Sequence, residues 1–472
     1  MKKIMFLLVM ISSSVNGQIM TDVTGSIAQL DFAFSTWGDY DNDGDLDMYY
    51  TGRLDANSNG GGLYINDNGS FSLSGTSNLP LYNTGAADTG DFNGDGYPDI
   101  VVIGADMPNY NEHADIYINN TDGTFTAMNA GLLNVYMGDV KFIDSDNDGD
   151  LDVLLTGFNI TSPYFYTKLY INDNGTLTED TTTTFPELNY GRICFADYDN
   201  DGDQDVSLSG WNNTTNAPYL KIWNNDGNNL FTEQDFSLPQ LWLGDMEWGD
   251  VDNDGDLDFV FSGTGNFDSE IHLMLNDNGN LTEDTNFDIT PTHKGFGIEL
   301  ADFNLDGYLD IFVLGNHYED ASNTDEKIAK IFVSDQNGGY IEDIHNTFDG
   351  VEYAESQAID YDNDGKVDLF YTGSDSNNFP TGKLFHNDTV SGFNNELQEQ
   401  FEIYPNPVMD VLHINPVSSD NYQVQIIDIT GKVIYKNTSN THVDINFSHF
   451  KQGVYFVKIT EDNKIYTQKL MH

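Results

Sequence analysis

One segment occurs seven times in this 472-residue chain, and its copies align without gaps. Asp39–Gly52 reads DYDNDGDLDMYYTG. Its counterparts are Asp91–Gly104, Asp144–Gly157, Asp197–Gly210, Asp250–Gly263, Asp302–Gly315 and Asp360–Gly373. Successive copies start 52 to 58 residues apart. A second marker closely follows each copy: LYINDNG from Leu63, IYINNTDG from Ile116, LYINDNG from Leu169 and KIWNNDG from Lys221. It recurs as LMLNDNG from Leu273, IFVSDQNG from Ile331 and a shortened LFHND from Leu384. A period of this length means supersecondary units that bury their apolar faces on one another, not a single irregular core.

The spacing inside the loop carries its chemistry. Side-chain oxygens stand at positions 1, 3, 5 and 9, glycine at 6, and position 7 offers its backbone carbonyl. The first loop supplies Asp39, Asp41, Asp43 and Asp47 with Asp45 at position 7. The second supplies Asp91, Asn93, Asp95 and Asp99 with Tyr97, and the third Asp144, Asp146, Asp148 and Asp152 with Asp150. The fourth has Asp197, Asp199, Asp201 and Asp205 with Asp203; the fifth has Asp250, Asp252, Asp254 and Asp258 with Asp256. Asp302, Asn304, Asp306 and Asp310 with Tyr308 make the sixth, and Asp360, Asp362, Asp364 and Asp368 with Lys366 the seventh. Alternating oxygens on a tightly turned backbone form a cage for a hard cation, and calcium suits a flexible all-oxygen cage better than magnesium. Bare carboxylates about 5 Å apart would repel by about 3 kcal/mol per pair at an effective dielectric near 20. One copy would leave open an Asx-rich turn that merely caps a hairpin. Seven copies favour about seven calcium ions, with weaker binding expected where Asn93 and Asn304 remove a charge.

The loop is not an EF-hand. Position 12 should be a bidentate Glu, yet Tyr50, Leu155 and Phe261 stand there. The flanking runs (LDMYY, PDIVV, LDVLL, LDFVF) are β-branched or aromatic and of strand length. A unit of four short strands with this period is the size of a propeller blade. The last unit stops at Asp388 without a fourth strand, which Gln18–Thr24, left over before the first unit, can supply. The expectation is an all-β chain: a seven-bladed β-propeller followed by a small Ig-like β-sandwich.

The Dx(D/N)xDGxxD loop between strands, repeated in this way, resembles the FG-GAP and VCBS repeats of integrin-α-type propellers over residues 18 to about 390. The resemblance implies calcium on one face of the disc. It also implies ligand binding on the opposite face, formed by the connections between strands 2 and 3 and between successive blades.

The two ends of the chain read differently. Residues 1–17 have Lys2 and Lys3, an apolar stretch Ile4–Ile11 and a small-residue exit, the pattern of a removed secretory signal. Eight apolar residues are too few to span a bilayer as a helix, and no later run comes near the length needed. After Phe393 a polar linker, residues 394–400 (NNELQEQ), leads into residues 401–472, where strand-like runs alternate and the charge is nearly balanced. YPNP at Tyr404, DITGK at Asp428, GVYFVKI at Gly453 and Lys469 near the end resemble the type A sorting domain of type IX secretion. That implies export across the outer membrane of a Bacteroidota-like bacterium by the type IX machinery, removal of the tail, and often a lipopolysaccharide anchor. The domain expectation is therefore 1–17 signal, 18–393 propeller with 18–29 closing the last blade, 394–400 linker and 401–472 sorting sandwich.

Charge narrows the partners. There are 77 acidic against 18 basic residues, a net −59, and only two arginines, Arg53 and Arg192. Polyphosphate and anionic membranes would be repelled, so nucleic acid is excluded. The single cysteine, Cys194, permits neither a disulfide framework nor a thiolate zinc site, and among acids its thiol should be unreactive. A monomer is expected.

The lead-in to each innermost strand is mostly aromatic: Phe32, Tyr82, Tyr136, Tyr190, Trp242 and Tyr353, with Lys294 in the sixth unit. Loops beyond the glycine of position 14 add Tyr110, Tyr164, Phe165, Trp211, Phe267, Tyr318 and Phe379. Aromatic faces among Asn, Asp and Thr suit sugar rings, so Trp211, Trp242, Tyr136, Tyr190, Tyr82 and Tyr353 are the candidate glycan contacts. Packing between blades is the plainer role for the lead-in aromatics. A polysaccharide-degrading enzyme is the alternative, with Tyr190, Arg192, His293 and Lys294 as conceivable lyase groups. Against it, no nucleophile–base pairing is visible, and Asp88, Asp139, Asp245, Glu247 and Glu299 near the axis would repel an anionic substrate. An inert calcium-stiffened surface scaffold is the third reading.

Overall fold

The computed structural model describes residues 19–161, 164–265, 268–317 and 326–389. Of the C-terminal segment it describes 401–404, 408, 411–416, 422–428, 432–447, 449–451, 454–461 and 464–471. The signal expected at 1–17, the linker at 394–400, and Phe267 and Tyr318 lie outside these. Among the described residues every regular element is a strand, and no helix is long and apolar enough to cross a membrane. The chain divides into two compact units, one from the repeats and one from the C-terminal segment.

The repeats make a propeller. Among the described residues they form seven sheets built on antiparallel meanders, the last of which also takes one short parallel pairing. The first runs Asp31–Gly38, Asp47–Asp55, Ser58–Asp67 and Ser70–Leu73 in spatial order. In every sheet the acidic loop joins the first strand to the second. Position 9 opens the second strand opposite the last residue of the first: Gly38 faces Asp47, Gly90 faces Asp99 and Ile143 faces Asp152. The second strands carry MYYT, IVVI or FVFS because both of their faces are covered. Asp99–Ala105 and Asp258–Thr264 are buried along their whole length. A sheet of a packed stack cannot alternate polar and apolar as a half-exposed one does.

The ring closes through the chain's beginning. Met20–Asp22 lies antiparallel to Pro380–Asn387, with Met20 opposite Asn387, in the place that a fourth strand fills elsewhere. The first sheet packs on the last: the Tyr50 ring meets Phe370 at 5.2 Å, and its hydroxyl lies 2.9 Å from Thr372 Oγ1.

The start of each innermost strand has a second sevenfold feature. Phe32, Thr84, Met137, Tyr190, Leu243, Lys294 and Tyr353 all hold φ between 46° and 55°. Several hydrogen-bond across sheets. Met137 N–H donates to Thr84 O at 2.8 Å, Tyr190 to Met137 at 3.2 Å, Lys294 to Leu243 at 2.7 Å and Tyr353 to Lys294 at 2.7 Å. The next residue is always Gly or Ala. A Cβ on Gly138 or Gly244 would stand 2.0 Å from the carbonyl oxygen of Thr156 or Ser262. Tyr82, Tyr136 and Trp242, expected at this position, lie one or two residues earlier. The reason is a register shift at the sheet edge, as between Asn83 and Ala86 or Asn189 and Arg192, which aromatic character does not mark. In the sixth unit one additional residue separates Lys294 from its loop, and Gly295–Phe296 pairs in parallel with Ala354–Glu355 of the next sheet.

The C-terminal unit is a β-sandwich. One sheet orders Phe401–Tyr404, Val411–Pro416 and Val443–Asn446. The other orders Val433–Ser439, Tyr422–Asp428, Val454–Glu461 and Lys464–Met471. Alternate residues Leu412, Ile414, Val424, Ile426, Val457 and Ile459 point into one core.

Candidate metal loops and an axial cavity

The acidic loops share one hydrogen-bond plan. The position 1 carboxylate accepts from the backbone N–H groups of positions 5 and 6: Asp39 from Asp43 at 2.9 Å and Gly44 at 3.0 Å, Asp250 from Asp254 at 2.9 Å and Gly255 at 3.1 Å. Position 5 accepts from position 7, as Asp45 N–H does to Asp43 at 3.0 Å. Where position 7 is Asp, its carboxylate can turn to the marker turn, as Asp45 does in accepting from Asn68 N–H at 2.7 Å. Position 9 is fully buried and accepts two backbone N–H groups: Asp258 from Val251 at 2.9 Å and Asn276 at 2.8 Å.

These bonds hold the carboxylates together without neutralising them. Oxygens of Asp39, Asp41 and Asp43 lie within 4.8 Å of one another, as do those of Asp144, Asp146 and Asp148, of Asp197, Asp199 and Asp205, and of Asp250, Asp252 and Asp254. Burial, opposed by the backbone donors, pushes the position 9 carboxyl up to about 7 in Asp47, Asp205 and Asp368 and to about 6 in Asp99, Asp152 and Asp258. At position 3, Oδ1 of Asp146 and Oδ1 of Asp199 are buried with no hydrogen-bond partner. An orphaned carboxylate oxygen facing two or three others is the donor set of a hard divalent cation, and the residues present fit calcium.

The second marker has a role that its sequence did not disclose. Its Asn ties the loop to the loop of the preceding sheet in five of the seven units; the sixth has Ser334 there, and Asn172 of the third reaches only Leu151 O of its own loop. Asn276 Nδ2 donates to Leu257 O at 2.9 Å and to Tyr198 O at 2.7 Å, and Asn119, Asn66 and Asn387 repeat the bridge. Position 4 Asn, also left-handed, reaches the following loop: Asn200 to Asp256 at 2.9 Å, Asn253 to Gly307 O at 3.1 Å, and Asn363 to Gly44 O at 2.7 Å across the closure. The seventh loop departs from the plan. His386, from the shortened LFHND, brings Nε2 to 3.1 Å from Asp362 and completes a cluster with Asp364, while Lys366 Nζ sits 2.7 Å from Asp364. The only sequence signal for His386 was its place beside the bridging Asn, where Asn224 likewise reaches Asp199 at 2.8 Å.

At the other end of the same innermost strands a cavity of about 600 Å³ opens on the axis. Tyr136, Tyr190, Trp242 and Tyr353 line it, with Phe32 and Tyr110. Phe32 stacks on Tyr353 at 5.0 Å, and the Tyr190 ring stands 6.3 Å from Trp242. Two of the six candidate contacts are elsewhere. Tyr82 stacks on His113 at 4.7 Å, outside the cavity. Trp211 lies within the strand Asp205–Asn212, not in a loop, and backs Trp242 at 4.9 Å. Of the conceivable lyase groups, Tyr190, Arg192 and Lys294 line the cavity, whereas His293 is buried against Ser269 Oγ at 2.7 Å.

Arg192, Phe296 and Glu355 also line a second cavity of about 350 Å³ deeper along the axis, and so stand where the two adjoin. The deeper walls hold the axial acids. These chiefly connect sheets, each accepting a backbone N–H of the next: Asp88 from Phe142 at 2.9 Å, Asp139 from Ile193 at 3.0 Å and Asp245 from Ile298 at 3.1 Å. Glu299 takes Ala358 at 2.8 Å and Glu355 takes Ser35 at 3.0 Å. Burial pushes Glu299 and Glu355 up to about 7 and Glu247 well above the usual carboxylate range, where Glu299 adds repulsion. Burial likewise raises the Cys194 thiol, helped by Glu247, which keeps it protonated.

Two protein families match the chain. The FG-GAP-like repeat matches residues 39–102, 91–155, 197–261 and 250–313, and the secretion system C-terminal sorting domain matches residues 402–472. No curated protein matches. Solved structures similar to the chain include two extracellular domains from B. thetaiotaomicron. One, of a hybrid two-component system, has 10% identity and TM-score 0.35, over 90% of this chain and 60% of that one. The other, of a one-component system, has 10% identity and TM-score 0.38, over 97% and 58%. The chain thus spans about three fifths of the length of each. A glycoside hydrolase family 43 arabinoxylan arabinofuranohydrolase from Bacillus subtilis has 10% identity and TM-score 0.29 over 95% of both chains.

Proposed function

We propose that this chain, an FG-GAP-repeat protein secreted to the cell surface through a type IX C-terminal sorting domain, is a calcium-stiffened binding propeller that takes a glycan on the face opposite its acidic loops. The axial cavity is the observation that carries this reading. Four aromatic side chains converge there from four sheets, with the Thr84 hydroxyl and the charged groups of Arg192 and Lys294 beside them, and flat aromatic faces beside polar groups are what sugar rings require. Calcium in the loops would hold the hairpin ends at one face while the other end of the same strands meets ligand. Residues 401–472 act as a removable export signal, and the mature surface protein comprises the propeller.

The reading is non-catalytic. A paired-carboxylate glycosidase needs two acids about 5–10 Å apart at the substrate, and Glu355 is the one carboxylate lining the cavity among the described residues. Its Oε1 accepts a backbone N–H from the neighbouring sheet. A glycan array probed with the calcium-loaded protein, lacking residues 401–472 as on the cell surface, tests the proposal. Binding should be lost in Trp242→Ala with the melting temperature nearly unchanged. An array without hits in the presence of calcium favours the inert scaffold.

A further inference from the structure

The chain's two arginines, in a protein of net charge −59, both line the axial cavity. They do different work. Arg53 is committed, with Nε 2.8 Å and Nη2 2.5 Å from the Asp31 carboxylate and its guanidinium 4.5 Å above the Phe32 ring. Arg192 is not. Its guanidinium lies over Phe296 at 3.9 Å, its Nε is buried without a hydrogen-bond partner, and its nearest carboxylate oxygen, on Asp139, stands 3.7 Å from Nη1. That separation is too long for a good hydrogen bond. The acids around it have other obligations: Asp139 accepts from Val140 and Ile193 N–H, Asp245 from Ile298 and Glu355 from Ser35. They hold the guanidinium charged and oriented at the cavity floor; its Nε is closed off from solvent, so an outside acceptor would meet its Nη groups.

We infer that the axial cavity receives the end of a glycan whose terminal sugar carries a carboxylate, with the Arg192 guanidinium taking the carboxylate. This rests on the glycan-binding reading above and narrows it. A planar fork of N–H donors matches a carboxylate bidentately, which a lysine in the same place could not do. The walls supply the remainder, since Tyr190, Trp242 and Tyr353 offer faces for the ring that bears the acid. An end, not a mid-chain stretch, is favoured because Arg192, Phe296 and Glu355 stand at the inner end of the cavity, where it adjoins the second one on the axis. The axial acids Asp139, Asp245 and Glu355 oppose an anion, so only a single carboxylate in direct contact with the guanidinium is expected to be held there, whereas a polyanion would meet the field of the whole acidic disc as well.

The test uses oligosaccharides in matched pairs, each with a terminal hexuronic acid or the corresponding neutral hexose, titrated by calorimetry into the calcium-loaded protein. Acidic members should bind at least tenfold more tightly than their neutral mates. Arg192→Met should bring the ratio within twofold and Arg192→Lys should leave an intermediate value, with melting curves in calcium showing that both variants remain folded. Equal binding of acidic and neutral members by the native protein overturns this inference and leaves glycan binding standing. Binding of no member of either set overturns both. Benzoate serves as a carboxylate on a flat ring that is not a sugar: displacement of the acidic oligosaccharide by equimolar benzoate would overturn the assignment to a sugar acid. If Arg192→Met does not fold, the native ratio and the Arg192→Lys ratio decide the matter.

Discussion

Removing calcium should cost the propeller most of its stability. Within a loop such as Asp144–Asp148, carboxylate oxygens lie within 4.8 Å of one another, and Asp146 keeps a buried oxygen without a donor. Without a cation each such pair repels by about 3 kcal/mol at an effective dielectric near 20. Binding to the folded state alone contributes about 2.7 kcal/mol per site when calcium stands at 100 times its dissociation constant. Over the seven loops this amounts to about 19 kcal/mol, more than the roughly 5–15 kcal/mol by which a typical domain is stable. An unfolding entropy of about 2.1 cal/mol/K per residue over about 370 residues gives about 0.8 kcal/mol/K, so full occupancy is worth a shift of about 25 °C. Calorimetry of protein dialysed against EDTA, compared with protein in millimolar calcium, measures the shift, and elemental analysis of the calcium form should find close to seven ions. Magnesium at the same concentration should restore little of it. A melting temperature within about 3 °C of the calcium value after complete removal of metal would refute the reasoning, because the loops would then be turns held by their own hydrogen bonds.

Three further outcomes are expected. Asn276→Ala leaves the carbonyls of Tyr198 and Leu257 and the N–H of Gly279 without their shared partner, and should lower stability in urea by about 2–4 kcal/mol; a loss under 0.5 kcal/mol would mean the bridge between loops is idle. Gly244→Ala places a Cβ 2.0 Å from Ser262 O and should lower the yield of folded protein or its stability by more than about 3 kcal/mol, whereas the same change at Gly255, with nothing within 4 Å but φ of 100°, should cost about 1 kcal/mol by backbone strain. Glu299 and Glu355 titrate near 7 when folded, above the ordinary carboxylate value. The folded state therefore binds more protons than the unfolded one between about pH 4.5 and 7, and stability falls as pH rises through 7. With calcium saturating, the melting temperature should be higher at pH 6 than at pH 8.5, and Glu355→Gln should flatten the slope; a slope of the opposite sign would contradict the burial of these groups.

Much of this molecule was legible in its sequence, and the reason is locality. Each acidic loop draws its side-chain oxygens from nine consecutive residues, so their spacing alone points to a cation site, and repetition states the architecture. The all-β fold, the strands on either side of each loop and the C-terminal sandwich followed from period and apolar pattern, while its sorting role came from the resemblance of motifs such as YPNP and GVYFVKI. The fourth-strand gap at Asp388 pointed to the strand Met20–Asp22, since a ring with an open edge would leave backbone groups unpaired.

The axial cavity was not legible in that way. Its walls come from Phe32 to Glu355, and which lead-in residue turns toward the axis is fixed by a left-handed residue and a register shift in each sheet. Thr84, Met137 and Leu243 hold that conformation as readily as Tyr190, so residue type carries no mark of it. The same holds for the axial acids, which in the sequence were simply charge near an axis. Only the packing of one sheet on the next shows that Asp139, Asp245 and Glu355 accept backbone N–H groups of a neighbouring sheet, leaving Arg192 between them without a hydrogen-bond partner at Nε. Side-chain oxygens within one loop are placed by the covalent chain. Groups that meet across the axis are placed by the bulges and close glycine contacts of several sheets together, and those exist only once the ring has closed.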